Sequence, residues 1–319
     1  MGGNALSIKS IRLSKDLYFK VSQDILAKLI TAYPNSLIKV IPAYTNKESF
    51  GDIDILISSD YDPNIKAFEA FEIVKNGPLT SYGIMVDSQP VQVDLISVDR
   101  NNFDYKLNYL AFNDLNNLLG HIGKGIHLNY CEDGLYYYVL NGKSKFRKIL
   151  ITNDFSKTLS ILGLDFEIFF KGFDNLEDIF QYAISSKYFN KDLFLLKKLK
   201  NSERKRENYM KFLKYLETHD TPTYNFTDDE SIWFQRICDY CPNFLEQYSQ
   251  AQSDLKNIML CNMKFNKKIV SIVTDLKGKE LDLFMRKIKT SFSEDYVLSA
   301  TDEDIKNKIL YIKNNSINI

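Results

Sequence analysis

Two aspartates, Asp52 and Asp54, stand two residues apart where Lys47-Glu48-Ser49-Phe50-Gly51 opens into the apolar stretch Ile53-Asp54-Ile55-Leu56-Ile57. An extended chain repeats every second residue, so both carboxylates fall on one face of a strand. Side by side they repel each other unless a cation sits between them, and hard oxygen donors suit a divalent ion. A third carboxylate, Asp94, lies inside Val91-Gln92-Val93-Asp94-Leu95-Ile96, whose clean alternation is that of a strand with Val93 and Leu95 on the opposite face. Three aspartates on two adjacent strands can clamp a pair of Mg²⁺ or Mn²⁺ ions. Such a pair activates an attacking hydroxyl and neutralises a triphosphate at once.

The elements that would position these residues are legible around them. A helix is expected over Ser14–Tyr33, capped by Ser14, with Leu17, Val21, Ile25, Leu26, Leu29 and Ile30 at helical spacing. Pro34-Asn35-Ser36 stops it. Leu37–Ala43, Ile53–Ile57 and Val91–Ile96 read as strands, Asn64–Lys75 as a helix bearing Phe68, Phe71 and Val74, and Phe103–His121 as one long helix whose C-cap is Gly125. Ile126–Tyr130 and Leu135–Leu140 form a hairpin over Glu132-Asp133-Gly134, and Phe146–Thr152 adds a strand. From Asn153 onward strand signals nearly vanish. Helical periods run through Phe155–Leu162, Leu176–Ile184, Asp192–Leu199, Glu203–Glu217, Asp229–Tyr240, Phe244–Met263 and Glu280–Phe292. The expected class is α+β: a domain over residues 1–152 with a mixed or antiparallel sheet, then an all-helical domain over residues 153–319.

Composition sets the outer limits. The chain has 319 residues, with 41 Lys+Arg balancing 41 Asp+Glu and 45% hydrophobic residues, which excludes a wholly disordered chain. With no net charge, any contact to nucleic acid must come from local basic patches. The 4 cysteines follow no disulfide framework and suggest a reducing compartment. The first residues lack an apolar run of signal-peptide length, and no stretch is long and apolar enough to span a bilayer. The expectation is a soluble, cytoplasmic protein with no membrane partner.

Ser-x-Gly-Asp-x-Asp before an apolar strand, followed by an Asp in a later strand, resembles the DNA polymerase β-like nucleotidyltransferase superfamily. Lys47–Leu56 is similar to the palm version, in which Glu-Ser-x-Gly-Asp-x-Asp opens the metal strand, and the likeness spans Leu37 to Tyr138. The resemblance implies a palm-like fold. It implies that Asp52 and Asp54 hold two metal ions, and that Asp94 is the third ligand and the base receiving a 3′-hydroxyl proton. It implies that Gly51 lets the backbone turn tightly beside the ions. Tyr109–Asn117 is similar to the region that contacts the incoming nucleotide, which implies that Asp114 and Asn117 face the base and sugar. One place departs from the family. Its Gly-Ser phosphate-holding turn is replaced by Ile41-Pro42-Ala43-Tyr44, where proline has no N–H and alanine no hydroxyl. Triphosphate binding is then weakened, moved to Lys47 and Ser49, or lost. The implied activity is metal-dependent transfer of a nucleoside monophosphate from an NTP or dNTP to a 3′-hydroxyl of DNA or RNA. Nucleotidylation of a small molecule or protein, and a catalytically silent binding module, stay open.

Other features admit plainer readings. Lys197, Lys198, Lys200, Arg204, Lys205 and Arg206 crowd one short stretch, either as a phosphate-backbone contact or as a solvated corner between helices. Lys143, Lys145, Arg147 and Lys148 read as an exposed, lysine-protected strand edge. Cys238-Asp239-Tyr240-Cys241 lacks the second ligand pair a zinc site needs and reads as structural cysteines. Tyr136-Tyr137-Tyr138 reads as sheet packing.

Overall fold

The structure, a computed structural model, describes residues 5–59, 67–195, 206–227 and 229–316. It divides into two compact units, Met1–Tyr137 with Leu150–Pro242, and Tyr138–Ile149 with Asn243–Ile319.

The first unit opens with β1 (Leu13–Ser14) and α1 (Lys15–Ala32), and the Ser14 hydroxyl accepts the Leu17 N–H at the helix start. Six strands follow: β2 (Ile38–Val40), β3 (Ser49–Phe50), β4 (Ile53–Ser58), β5 (Glu72–Asn76), β6 (Leu79–Val86) and β7 (Gln89–Val98). A five-stranded sheet runs in the order β2-β4-β7-β6-β5, while β1 pairs with β3. Its central pair, β4 and β7, is parallel and its other neighbours are antiparallel, so the sheet is mixed. One face takes the apolar stripe of α1: Tyr18, Val21, Ile25 and Leu29 pack with Ile53, Ile55, Ile57, Val91, Val93 and Leu95.

The helix expected over Asn64–Lys75 is overturned where the chain is described, because Glu72–Asn76 is a strand. Phe71 explains the misreading. A Cβ at Gly83 of β6 would sit 2.6 Å from the Phe71 ring, so that ring covers a glycine of the sheet and belongs to no helix face. β6 itself went unread. It joins β7 through Asp87 and Ser88, both with positive φ, the conformation a tight two-residue hairpin demands.

The long helix expected over Phe103–His121 is two helices, α2 (Phe103–Leu110) and α3 (Leu115–Gly125). Between them Phe112 and Asn113 both take left-handed backbone, with φ of 59° and 60°. Phe112 accounts for the break: its N–H donates to the Pro42 carbonyl and its ring packs edge-on against Phe169 and Phe173. Past α3 the left-handed residue is His127, not Gly125. Then come β8 (Asn129–Cys131), β9 (Gly134–Asn141) and β10 (Ser144–Thr152), a sheet in the order β10-β9-β8, with the expected hairpin pairing Cys131 to Gly134. Tyr136 is buried and Tyr137 meets Phe234 edge-on, in keeping with a packing role.

Helices complete the unit: α4 (Phe155–Ile161), α5 (Phe166–Lys171), α6 (Leu176–Ile184), α7 (Glu207–Thr218) and α8 (Glu230–Tyr240). Cys241 is buried just beyond α8, while Cys238 within it is half-buried. The chemical change at residue 152 and the division into compact units therefore fall at different places, with α4 to α8 belonging to the first unit. The second unit holds the far end of the β9–β10 hairpin with α9 (Phe244–Lys264), α10 (Lys267–Thr274), α11 (Gly278–Ile288), α12 (Glu294–Ser299) and α13 (Asp302–Ser316). Val270, Leu281, Phe284, Ile288, Ile305 and Ile309 form its core. Within it Arg147 pairs with Asp254 at 2.6 Å and the Lys145 ammonium lies over the Tyr138 ring. The chain is thus mixed α and β with a mixed sheet and a helical C-terminal region. No helix among the described residues is long and apolar enough to cross a membrane.

Candidate active site

Alternation along the two central strands decides which side chains meet. Ile53, Ile55 and Ile57 of β4 face α1, as do Val91, Val93 and Leu95 of β7. The intervening positions therefore share the other face, where Leu56 and Ile96 pack with Phe103 and Leu107 of α2. Asp54 and Asp94 are on that face, and the parallel register sets them directly opposite each other. Asp52, two residues before Asp54, follows the same parity. Ligand oxygens of Asp52, Asp54 and Asp94 all lie within 4.8 Å of one another.

This clustering is electrostatically costly. Burial above all, then the charges of Asp52 and Asp94, pushes the Asp54 carboxyl from 3.8 up to about 7, and Lys47 offsets part of that rise. Asp94 is only 7% exposed, and burial raises its pKa too, against hydrogen bonds from Ser81 and Gln92 that lower it. The Gln92 amide donates to both Asp94 oxygens, at 2.9 and 3.0 Å. Gln92 is held in turn by the Ala5 N–H, which donates to its carbonyl oxygen. Burial likewise raises the Tyr18 phenol, with Asp54 and Asp52 adding to the effect, and its ring stacks flat on Phe50 at 3.7 Å.

A cleft of about 760 Å³ opens beside Asp52 and Asp54. Its opposite character comes from Arg12, Lys47, Arg206 and Lys211, which also line it. The antiparallel pairing of β1 with β3 brings Arg12 to Ser49, where its guanidinium donates to the hydroxyl at 2.7 Å and to the carbonyl at 3.1 Å. The Lys47 ammonium reaches the Asn113 side chain at 3.3 Å and lies over the Phe50 ring. Burial lowers the Lys47 pKa first, Asp52 and Asp54 raise it, and Arg12 lowers it further. Arg206 pairs with Asp114, and Lys211 pairs with Glu207 at 2.7 Å.

The segment at the altered turn is already engaged within the chain. The N–H groups of Ile41, Thr45, Asn46 and Lys47 donate to the carbonyls of Asp54, Phe173, Asp174 and Tyr44, and Pro42 has no N–H to give. Ala43 and Tyr44 of the same turn line the cleft.

The structure brings together Asp52, Asp54 and Asp94. It sets Lys47, Ser49, Gly51 and Asp114 on the adjoining cleft. Gly51 does so without a positive φ, so no residue-specific turn is needed there. Asn117 is not on the cleft wall; its amide donates to Asp114 at 3.0 Å at the start of α3. Of the basic run, Arg206 lines the cleft, and Lys197, Lys198, Lys200, Arg204 and Lys205 lie outside the described residues. Sequence reasoning missed Arg12, Tyr18 and Lys211. Tyr18 carries a readable sign, an aromatic on the buried stripe of α1. Arg12 and Lys211 carry none, because only the β1–β3 pairing and the course of α7 bring them to the cleft.

No protein-family model matches the chain, and no curated protein matches it. Among solved structures it is similar to Leishmania infantum polymerase β, crystallised as a ternary P/T complex, at 12% identity and a TM-score of 0.38 over 48% of this chain and 73% of that one. A likeness this slight carries no chemistry; the carboxylate geometry does.

Proposed function

We propose that the chain is a divalent-metal-dependent nucleotidyltransferase that moves a nucleoside monophosphate from an NTP or dNTP to the 3′-hydroxyl of a DNA or RNA strand, with pyrophosphate leaving. One observation carries the reading: three carboxylates from paired parallel strands converge within 4.8 Å beside a cleft with cations on its walls. The donor set fits Mg²⁺ or Mn²⁺, being all oxygen and anionic, and burial, with the charges of Asp52 and Asp94 adding to it, pushes Asp54 toward its protonated form. Bound there, such ions would stabilise charge on the triphosphate and lower the pKa of the attacking hydroxyl. Asp52 and Asp54 hold the two ions, with Asp94 as the third ligand. Asp94, oriented by Gln92, takes the hydroxyl proton as the hydroxyl oxygen bonds to the α-phosphorus and the bond to the β-phosphate oxygen breaks. Arg12, Lys47, Ser49 and Lys211 supply the side-chain donors for the phosphates that the turn at Pro42 withholds. Asp114 marks the nucleoside end, and Asn117 holds it there through the hydrogen bond between their side chains.

Pro42, which has no N–H, and the internally bonded amides of Ile41, Thr45, Asn46 and Lys47 favour one second reading, a binding module that has lost turnover. Labelled triphosphates, Mg²⁺ or Mn²⁺, and a panel of DNA and RNA oligonucleotides, small hydroxyl compounds and proteins separate the two. Oligonucleotide extension that chelation abolishes is expected. Transfer to a small molecule or protein would correct the acceptor, and triphosphate binding without any transfer would support the silent module. Asp94→Asn keeps the shape but cannot accept the proton. It should slow transfer roughly 10²-fold or more with triphosphate affinity retained, as read by turnover beside equilibrium binding.

A further inference from the structure

The aspartate cleft has a neighbour. A groove of about 510 Å³ lies between the first turns of α6 and one face of α7, and Lys211 lines both it and the cleft. Asn46, next to Lys47 of the cleft, donates its side-chain amide to Asn175 of the groove at 3.2 Å. On α7, Lys211, Lys214, Tyr215 and Thr218 recur at the spacing of a single helix face, and all four line the groove. His219, just beyond the helix, lies flat on Tyr215 with ring centroids 3.8 Å apart and planes 12° apart. Tyr215 is buried and His219 exposed, so the imidazole turns its outer face away from the protein. The ring is fixed in place: its Nδ1 lies 3.0 Å from both the Tyr215 carbonyl and the Thr218 hydroxyl. Glu177 lines the groove, and Glu207 is paired to Lys211.

We infer that this groove holds the acceptor of the reaction as a single strand of nucleic acid, with one base stacked on the outer face of His219 and the adjoining phosphate on Lys214. The inference rests on nucleotidyl transfer in the adjoining cleft, with which the groove shares Lys211. A pinned ring beside lysines takes unpaired nucleotides whatever their sequence, since every base has a stacking face. A duplex keeps its bases inside its own stack and offers none to a lone ring.

The test uses the full chain, a fluorescently labelled single-stranded oligonucleotide without triphosphate, and a fluorescent triphosphate with Mg²⁺ in parallel. His219→Ala should weaken oligonucleotide binding about tenfold, at the lower end of what losing one stacked base costs. His219→Phe should restore it, which a purely structural role for the imidazole hydrogen bonds would not allow. Lys214→Glu should weaken binding and flatten its salt dependence by about 0.7 in log–log slope, the value of one single-strand phosphate contact. Triphosphate affinity should be unchanged in all three. Unchanged oligonucleotide affinity in both His219→Ala and Lys214→Glu overturns the inference, as does tighter binding of duplex than of single strand. Wild-type protein that binds oligonucleotide at His219 but never transfers would overturn the proposed activity and leave the groove standing.

Discussion

The two compact units bury different kinds of residue. In the second, Thr274 is the one polar side chain buried among the described residues, and it is satisfied by the Val270 carbonyl. The first buries Ser81, Gln92, Asp94, Lys106, His121 and Thr158, among others. Much of that polarity is matched: Lys106 pairs with Glu132, and the Thr158 hydroxyl meets Tyr105 at 3.2 Å. The aspartates are different, because the three carboxylates converge within 4.8 Å of one another. Stability alone would fill such a place with apolar side chains, as in the second unit. Conflict of this kind is kept where it serves binding, so the place where folding is least satisfied is the place to look for chemistry.

Asp52→Ala and Asp54→Ala test that contrast most severely. Each should cut metal-dependent transfer roughly 10⁴-fold while circular dichroism stays unchanged. Wild-type rates in either would erase the distinction between the units. The next effect is on stability. An acid raised from 3.8 to about 7 keeps its proton in the folded state after the unfolded chain has lost it. Its contribution is therefore fully present below about pH 4 and is lost as pH rises through about 7, by at most roughly 4 kcal/mol. Metal-free protein should lose stability relative to Asp54→Asn between pH 5 and 7.5, and Mg²⁺ should return it at pH 7.5. Parallel melting curves for the two proteins, with no added effect of Mg²⁺, would count against a carboxylate conflict.

How much of this could be read in advance varies with distance along the chain. Asp52, Asp54 and Asp94 were legible because strand parity is local and their alternation with apolar residues names the face. The helical C-terminal region followed from the same kind of period, which left the sheet open between mixed and antiparallel. Phe68, Phe71 and Val74 misled because apolar spacing of three fits both a helix and an edge strand with a covering loop. The break at Phe112 was hidden because its causes, Pro42, Phe169 and Phe173, are remote in sequence. Arg12 was hidden for the same reason, since a two-residue ladder with Ser49-Phe50 has no local signature.

Two smaller effects sharpen the comparison from opposite sides. Ile305→Ala in the core of the second unit should cost about 3 kcal/mol in denaturant unfolding, with triphosphate affinity unchanged below the transition. Arg12→Ala should do the reverse. It should raise the KM for triphosphate about tenfold, near 1.4 kcal/mol, as one charge-assisted contact is lost, with little change in melting temperature. Arg12→Lys should recover only part of the affinity, because an ammonium cannot hold Ser49 and a phosphate in one planar fork.

The cleft is also a statement about synthesis. Its walls come from Arg12 at one end and Lys211 at the other, with Lys47, Asp54 and Asp114 between. During translation the arginine emerges first and the lysine among the last of the set. A nascent chain that stops before Arg206 already contains α1 and the strands that carry Asp52, Asp54 and Asp94, yet it lacks Arg206 and Lys211. Contacts spanning so much sequence form slowly and late. The wall is therefore completed last, at α7, and a truncated or stalled product would carry Arg12 and Lys47 but only part of the cleft's positive charge.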